Sequence, residues 1–458
     1  MTEAATGARV PTASDIARRI ERLPVTTWQV KVRWFVGAAT FFDAFDALSI
    51  AFVLPVLAPL WRLAPSEIGL MISAGFLGQF VGAMVFGWVA QRFGRVPAMT
   101  WSIVLFACGS LACAFAWDYH SLLVLRIVQG VGLGGEVPIA AVYINELAKA
   151  KGRGRFFMLY ELIFPIGLVA AGAIGAWLVP TLGWQSMFYL GAVPALIVLF
   201  VRRILPESPR WLAARGRLSE AETALQQIEA STIRAYGQPL PAVAEMMPDV
   251  VNRPASWRDL FGKLYLRRTL VVWSIWFVTY LLNYGLVTWL PTLYRTVYRL
   301  PLGQALRYSL VTNAVGLVGC AICALLVDRL GRRTWFGVSF AGAGAALAAL
   351  WIGGAATAES VLWLGSTAYF FISTLSILVY LYTPEIYPTR TRAIGVATAT
   401  AWLRVASMIG PIMIGTMMSG AGLGSTFPVF AMIAFAAAVI AFAFAEETKD
   451  RVLEDVSP

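Results

Sequence analysis

Runs of apolar residues alternate with short polar segments along most of the chain. A helix needs about 20 predominantly apolar residues to cross the hydrocarbon core of a bilayer. Twelve runs are near that length, and none shows the strict alternation that is typical of a membrane β-strand. The pattern therefore predicts twelve transmembrane helices, at residues 34–56, 67–91, 98–117, 122–146, 156–180, 187–204, 267–292, 307–328, 335–354, 360–384, 393–416 and 427–445.

The composition agrees with this prediction. Of the 458 residues, 59% are hydrophobic and only 13% are charged, and the mean hydropathy is +0.71. A soluble globular chain has about 25% charged residues. Because the apolar excess extends over nearly the whole length, the composition indicates an all-α polytopic membrane protein and excludes the soluble classes.

The basic residues fall mainly on one side of the predicted membrane. With the N-terminus placed in the cytoplasm, the cytoplasmic segments contain 30 of the 36 Lys and Arg residues and the outer loops contain 4. The positive-inside rule then predicts a multi-pass protein of the inner (plasma) membrane with both termini in the cytoplasm. Contact with anionic lipid explains the net charge of +11, so the charge does not indicate a nucleic-acid partner.

One long polar segment divides the chain in two. Its stretch "RLSEAETALQQIEA" has Ser219 as a candidate N-cap with Glu222 three residues later, which predicts a helix within the segment. The predicted organisation is a cytoplasmic N-terminal segment, a six-helix bundle, a partly helical cytoplasmic linker, a second six-helix bundle and a cytoplasmic tail, at residues 1–33, 34–204, 205–266, 267–445 and 446–458.

The N-terminal segment contains an amphipathic pattern. Ile16, Ile20 and Leu23 share one helix face, and arginines lie beside them. Such a pattern is typical of a short helix on an anionic membrane surface. An ordinary solvated helix explains it equally well.

The two halves repeat a set of charged motifs. "GWVAQRFGR" follows the second span and "ALLVDRLGRR" the eighth, and an acidic residue precedes an arginine by seven positions after both the fourth and the tenth span. Corresponding positions are 237 to 240 residues apart, which predicts two pseudo-symmetric six-helix halves. We expect the repeated charges, with one arginine of the fourth span, to form a conformational switch: Arg92, Arg95, Asp328, Arg329, Arg332, Arg333, Glu146, Arg153, Glu385, Arg392 and Arg126.

Four acidic residues interrupt the apolar runs of the first half. Asp43 and Asp46 are three residues apart, so they lie on one helix face. An ionisable residue in a span costs about 2.5–3.5 kcal/mol on insertion scales and usually has a function in the protein interior. Two close carboxylates also resist being ionised together. We therefore predict proton coupling by Asp43, Asp46, Glu136 and Glu161, with pairing to Arg126 or backbone capping as the structural alternative.

Arg404 is the only cation predicted inside a span of the second half, and it lies near the middle of that span. No acidic residue of the same half is predicted within the membrane, so its partner is an acid of the other half, a backbone carbonyl or an anionic substrate. A guanidinium fork suits a carboxylate. Aromatic and neutral polar residues at similar depth complete a predicted pocket for a planar ring: Phe164, Tyr280, Asn283, Tyr284, Tyr369, Phe370, Ser376 and Tyr380.

These motifs resemble those of a known family. "ALLVDRLGRR" resembles the loop signature of the major facilitator superfamily, "RIVQGVG" its fourth-helix motif, and "PESPRWL" and "EETKDR" its linker and tail motifs in sugar and organic-ion porters. Gln91 occupies the position of the family's loop aspartate in the first half, whereas Asp328 keeps that residue in the second. The resemblance covers almost the whole chain and implies twelve transmembrane helices in two six-helix halves.

Further stretches are similar to the bacterial niacin transporters, which are related to the synaptic vesicle glycoprotein 2 proteins and to the aromatic-acid/proton symporters. They are "FDAFD", "GLGGEVP", "NYGLVTWLP" and "YLYTPEIYPTRTRAIG". The resemblance implies proton-coupled import of nicotinate by alternating access, and it matches Phe164, Tyr284 and Arg404 to family positions that face the central cavity. Other aromatic acids, organic ions and sugars, a uniporter and a receptor-like protein without transport remain as alternatives.

The sequence contains no pattern that favours an enzyme. "GVGLGG" lies inside an apolar helix without a preceding strand, so helix packing explains it better than a dinucleotide site. The only histidine is His120, in a predicted loop, and Cys320 and Cys323 are in a predicted span where packing explains them. We expect no catalytic residues, no cofactor and no metal; the expected partners are a small-molecule substrate, protons and the lipid bilayer.

Overall fold

The computed structural model describes residues 12–24, 26–147, 160, 162–196, 198, 204–243, 257–263, 265–353, 355–388, 391–420 and 422–449. Regular structure in these residues is helical throughout. The helices of the first half and linker are α1 (Ala13–Glu21), α2 (Thr27–Leu60), α3 (Pro65–Phe93), α4 (Arg95–Ala114), α5 (Tyr119–Leu147), α6 (Ile163–Leu182), α7 (Gln185–Gly191), α8 (Pro209–Ala214) and α9 (Leu218–Tyr236). Those of the second half are α10 (Leu266–Thr296), α11 (Leu302–Leu330), α12 (Arg332–Ile352), α13 (Ala358–Ile386), α14 (Arg392–Gly420) and α15 (Thr426–Phe444).

Eleven helices in the described ranges are long and apolar enough to cross a membrane. They correspond to eleven of the twelve predicted spans. The sixth predicted span, 187–204, begins in α7 and then lies partly outside the described residues. Several helices extend past the predicted limits, as α2 does from 34–56 to Thr27–Leu60, because a helix continues beyond the apolar stretch into the polar region. Apolar side chains such as Trp88, Leu325 and Trp363 are exposed on the outer faces, as a lipid-facing surface requires.

Glycines allow the helices of the first half to pack closely. A Cβ atom at Gly78 of α3 would lie 2.1 Å from the carbonyl oxygen of Ile127 in α5, and one at Gly134 of α5 would lie 2.1 Å from the carbonyl oxygen of Gln79. A Cβ atom at Gly132 would lie 2.3 Å from the backbone nitrogen of Phe106 in α4. The packing interpretation of "GVGLGG" is therefore confirmed.

The two halves meet at the end of the bundle where α3 begins and α14 ends, which we call the Pro65 end. A Cβ atom at Gly69 would lie 2.6 Å from the carbonyl oxygen of Pro411, and one at Gly415 would lie 2.5 Å from that of Pro65. One turn further along α3, the Ser73 hydroxyl donates to the Met408 carbonyl at 2.7 Å. Backbone-to-backbone contact of this kind holds the two halves together at the Pro65 end.

The N-terminal helix α1 packs on the linker. Ile16 and Ile20 are buried against Trp211 of α8 and Leu225 of α9. The membrane-surface interpretation of α1 is therefore wrong, as is the solvated one, because the apolar face that predicted them is covered by protein. The Ser219 cap is also wrong: α9 begins at Leu218, so Ser219 lies within the helix.

Ion pairs surround this apolar contact. Arg19 of α1 pairs with Glu229 at 2.7 Å and with Glu222 at 2.6 Å, and Arg22 pairs with Glu229 at 2.8 Å. Burial opposes ionisation of Glu229, but the hydrogen bonds and charges of Arg19 and Arg22 outweigh it and lower the pKa of Glu229 below its ordinary value of 4.5. Because the folded pKa is the lower one, this carboxylate stabilises docking above about pH 4.5, and its contribution is lost as the pH falls through the folded value.

We expect α1 to detach when Glu229 is neutralised. A spin label at position 13 should become mobile as the pH falls through the folded pKa of Glu229, which lies below 4.5. Glu229→Gln should give the same mobility at pH 7, because Arg19 and Arg22 then lack their shared carboxylate. Glu220→Gln is the matched control, since Glu220 pairs only locally with Arg217 in α9's first turn. An immobile label in Glu229→Gln would show that docking of α1 does not depend on the Glu229 carboxylate.

Candidate functional site

A cavity lies between the two halves. Its walls come from α2, α3, α5 and α6 of the first half and from α10, α11, α13 and α14 of the second, and it encloses about 940 Å³ including its opening. Eight of the nine residues predicted from the sequence for the substrate pocket line this cavity, and Phe370 does not: Phe164, Tyr280, Asn283, Tyr284, Tyr369, Ser376, Tyr380 and Arg404.

Aromatic rings form much of the wall on the side of the second half. Tyr280 and Tyr284 stack on one face of α10, with ring centroids 6.0 Å apart, and Phe76 of α3 lies 4.6 Å from Tyr284. Trp276 packs edge-on against Tyr380 at 4.8 Å. Rings fixed by one another in this way present flat apolar faces to a planar ligand.

Neutral polar groups are placed among these rings. The amide nitrogen of Asn283 donates to the Ser376 hydroxyl at 2.8 Å, and the Tyr280 hydroxyl donates to the Ser376 carbonyl at 3.3 Å. These bonds join α10 to α13 and fix the side chains that face the cavity. The polar positions are thereby oriented before a ligand arrives.

Arg404 of α14 reaches across the cavity to the first half. Its guanidinium donates to the side-chain carbonyl of Gln79 in α3. Among the described residues Arg404 forms no direct ion pair, although its charge interacts electrostatically with Asp43 of α2. A neutral amide and a more distant carboxylate leave most of the hydrogen-bonding capacity of the guanidinium to an anion.

Asp43 faces the cavity. Its side chain is only 3% exposed, and one carboxylate oxygen has no hydrogen-bond partner in the part of the chain that the structure describes. A buried carboxylate without full hydrogen bonding is costly in its charged form. The charge state of Asp43 therefore depends on the charges of its neighbours in the cavity.

Asp46 lies outside the cavity lining, in a closed polar cluster. It forms an ion pair with Arg126 of α5 at 3.0 Å, and both side chains are almost completely buried. Gln129 donates to Asp46 at 2.7 Å and accepts from Arg126 at 2.7 Å. Gly75 of α3 leaves room for this guanidinium, because a Cβ atom there would lie 2.8 Å from it. The structure thus separates the two aspartates that the sequence places on one face.

Of the other two acidic residues predicted for proton coupling, the structure describes only Glu136, which does not line the cavity. Glu136 is buried beside Thr40, whose hydroxyl donates to its carboxylate at 3.3 Å and is also 2.6 Å from the Tyr160 hydroxyl. Thr40 itself lines the cavity, so Glu136 lies one side chain behind it. Glu161 lies outside the described residues.

Sequence reasoning missed four non-aromatic residues of the lining that carry a hydroxyl or an amide: Thr40, Gln79, Asn313 and Ser373. The available signal was a neutral polar side chain inside an apolar run. That signal is weak, because many such residues only bond to their own helix backbone. Gln79 and Asn313 carry amides, which have both donors and an acceptor to satisfy, and this distinction could have selected them.

The charged motifs form one cluster in each half, at the end of the bundle opposite the Pro65 end. In the first half Arg95 pairs with Glu146 at 2.9 Å. Its backbone nitrogen donates to Glu207 at 3.0 Å, so Glu207 caps the start of α4. Burial raises the pKa of Glu207, against the opposing effect of these hydrogen bonds.

The second half repeats this arrangement. Arg332 pairs with Glu385 at 3.0 Å and with Asp328 at 2.8 Å, and its backbone nitrogen donates to Glu447 at 2.9 Å. The correspondence of Arg95 with Arg332, Glu146 with Glu385 and Glu207 with Glu447 follows the spacing found in the sequence. Both clusters connect elements within one half.

The remaining residues predicted for the switch have other surroundings. Arg126 belongs to the Asp46 cluster, Arg392 donates to the Tyr387 carbonyl at 3.3 Å, and the Arg333 side chain donates to the Phe442 carbonyl. Arg92 lies over the ring of Phe93, the backbone carbonyl of Arg329 accepts from Lys449, and Arg153 lies outside the described residues.

We expect Arg332→Ala to destabilise the protein more than Asp328→Ala. The Arg332 side chain is 11% exposed and joins two carboxylates, whereas that of Asp328 is 81% exposed. Exposed pairs contribute up to about 1 kcal/mol, and breaking a buried pair costs about 3–5 kcal/mol. The stability loss of Arg332→Ala should lie between these two values, and that of Asp328→Ala should be below about 1 kcal/mol. Thermal unfolding in detergent measures both, with Arg95→Ala as the symmetry-related match; equal losses for Arg332 and Asp328 would contradict this.

Comparison with known proteins supports a single family. The model of the family described as "Sugar (and other) transporter" matches residues 41–458. The niacin transporter NiaP of Acinetobacter baylyi is 34% identical over 96% of this chain and 99% of its own length, and a gallate transporter of Pseudomonas putida is 29% identical over 93% and 94%.

The fold of a solved transporter is also similar. The xylose transporter XylE of Escherichia coli, in a partially occluded inward-open conformation, superposes with a TM-score of 0.74 at 19% identity and covers 93% of this chain and 100% of its own. The all-helical, two-half architecture is confirmed by this match. The protein is thus a multi-pass membrane transporter of small molecules rather than an enzyme, and it belongs to the sugar (and other) transporter family of the major facilitator superfamily.

Proposed function

We propose that the protein imports nicotinate together with a proton, by alternating access across the inner membrane. The observation that carries this proposal is the position of Arg404, which points into a cavity lined by aromatic rings and is held by a neutral amide. A fork of guanidinium N–H groups binds a carboxylate through two parallel hydrogen bonds. The name of the niacin transporter that shares 34% identity supports the same substrate.

The ring of the substrate lies between the aromatic walls. Tyr280 and Tyr284 already stack beside the cavity, and Phe76 packs against Tyr284 at a tilted angle. Offset or edge-on contacts with a further ring contribute about 0.5–1.5 kcal/mol each beyond the burial of area. A sugar would gain less from this site, because it has neither an aromatic ring for these walls nor a carboxylate for Arg404.

The proton is carried by Asp43 in this proposal. When Asp43 is ionised, its charge competes for Arg404 and repels the substrate carboxylate. Protonation removes both effects, so the proton and the anion bind favourably together and the loaded cavity gains no net charge. Asp46 keeps its pairing with Arg126 and supports the helix that carries Asp43.

The orientation in this proposal follows the basic residues. The end that carries Arg95 and Arg332 faces the cytoplasm by the positive-inside rule, so the closed Pro65 end faces outward. Alternating access then requires the contacts of Gly69 with Pro411 and of Gly415 with Pro65 to separate when the cavity opens to the outside.

Transport by purified protein in liposomes tests the proposal. Labelled nicotinate should accumulate against its gradient when the lumen is made alkaline relative to the medium, and unlabelled nicotinate should compete far better than D-xylose. Accumulation of xylose, or nicotinate fluxes that equal those of protein-free liposomes, would reject the assignment.

A further inference from the structure

One buried side chain in the cavity has no partner for either of its polar atoms. Asn313 of α11 is 3% exposed and lines the cavity, and neither its Oδ1 nor its Nδ2 atom has a hydrogen-bond partner among the described residues. Asn283, the other asparagine of the lining, is bonded to Ser376. A buried amide left without partners is destabilising, so such groups are rare in folded proteins.

The described residues around Asn313 do not supply a hydrogen-bond partner. Asn313, Gly316, Leu317 and Cys320 form one helical stripe of α11 along the cavity wall. Gly316 lets the Tyr369 ring lie against the stripe, since a Cβ atom at this position would be 2.4 Å from its Cε1 atom. Across from Asn313 is Gly172 of α6, whose Cβ position would be 3.4 Å from Nδ2. Asn313 therefore lies between an aromatic wall and a residue without a side chain.

We infer that Asn313 recognises the ring nitrogen of a pyridine carboxylate through its Nδ2 amide. This inference rests on the proposed function and adds the feature that selects a pyridine over a benzene ring. The carboxylate binds Arg404 on α14, and the ring extends along the aromatic wall toward α11. The pyridine nitrogen is an acceptor in the plane of the ring, which suits a planar amide donor, whereas benzoate offers a C–H group at that position and leaves the amide unpaired.

The expected consequence is discrimination between ligands of nearly equal size. A site built to hydrogen-bond a ligand atom rejects an analogue that lacks it, because its own polar group stays buried without a partner. Wild-type protein should bind nicotinate about tenfold more tightly than benzoate, which corresponds to about 1.4 kcal/mol. Picolinate and isonicotinate, with the nitrogen moved along the ring, should bind more weakly than nicotinate.

Binding titrations with purified protein in lipid nanodiscs test the inference. Asn313→Leu should weaken nicotinate binding about tenfold and leave benzoate within about twofold of wild type, so that the discrimination disappears. Thr312→Val is the matched control: it removes a buried polar group one position away on α11, where the hydroxyl already bonds to Ser366 at 2.8 Å and does not line the cavity. It should leave the ratio of the two affinities unchanged.

The outcomes separate the inference from the proposed function. Wild-type protein that binds nicotinate, with Asn313→Leu lowering both acids equally, overturns the role of Asn313 alone. Equal affinities of the wild-type protein for benzoate and nicotinate also overturn the role of Asn313. This result does not depend on whether the variant folds. Wild-type protein that binds no nicotinate rejects both. Loss of discrimination in Asn313→Leu, with retention in Thr312→Val, supports the inference.

Discussion

Arg404→Ala is expected to weaken nicotinate binding by about 2–5 kcal/mol, the cost of truncating one partner of a buried charge pair. The guanidinium is the only charged donor that the described lining offers to a carboxylate. Without it, the anion would enter a cavity that contains Asp43 and no balancing cation. Arg404→Lys should restore part of the affinity, because the charge returns without the planar fork. Titration of purified protein measures the three affinities.

Nicotinamide provides the control ligand for this prediction, because it keeps the ring and lacks the charge. Its binding should fall much less than that of nicotinate in Arg404→Ala. Ser407→Ala is the control variant, since Ser407 is buried on the same helix, donates only to the Leu403 carbonyl at 2.7 Å and does not line the cavity. Equal losses for the acid and the amide would make Arg404 structural.

Asp43→Asn is expected to abolish accumulation driven by a pH gradient while exchange of labelled for unlabelled nicotinate continues. The amide is permanently neutral, so the variant resembles the protonated protein and binds substrate without a proton. Accumulation and exchange are both measured in proteoliposomes. Wild-type accumulation by Asp43→Asn would exclude Asp43 as the coupling site.

Asp46→Asn is the comparison, because it makes the same chemical change three residues away. Here the carboxylate is paired with Arg126, and its loss leaves a buried guanidinium without a counter-charge. Breaking such a pair costs about 3–5 kcal/mol. We therefore expect Asp46→Asn to lower the unfolding temperature markedly, and Asp43→Asn to leave it nearly unchanged or to raise it.

The difference between these aspartates shows where sequence reasoning reaches its limit. Residues three apart on a helix are rotated by about 60° from each other. Because this angle is small, the sequence predicts a common environment for the two residues. In the structure, however, about 60° is enough to direct Asp43 into the cavity and Asp46 toward Arg126. Only the packing of α3 and α5 around α2 determines that separation.

The transmembrane architecture was more predictable, because length and hydropathy determine a spanning helix almost by themselves. The motif repeat also predicted which charges would correspond, as Arg95 and Arg332 show. The surface of α1 was not predictable in this way. An apolar stripe beside arginines fits a lipid surface and a protein partner equally, and the partner, α9, lies some 200 residues away in the chain.

The residues that line the cavity were predictable only in part. Aromatic residues and Arg404 were found because rings and a lone cation stand out in apolar runs. Gln79 and Asn313 were missed because an amide in a helix gives no indication of its partner. In the structure Gln79 holds Arg404, while Asn313 has no partner among the described residues.

The most direct test of proton-coupled nicotinate transport is a measurement of the protons that move with nicotinate. Proteoliposomes with a pH-sensitive dye inside and no imposed gradient should acidify internally when nicotinate is added outside, faster than protein-free liposomes, and should not respond to nicotinamide. The Asp43→Asn protein should match the protein-free rate. Uptake of nicotinate by the wild-type protein without any acidification above the protein-free rate would contradict proton-coupled transport.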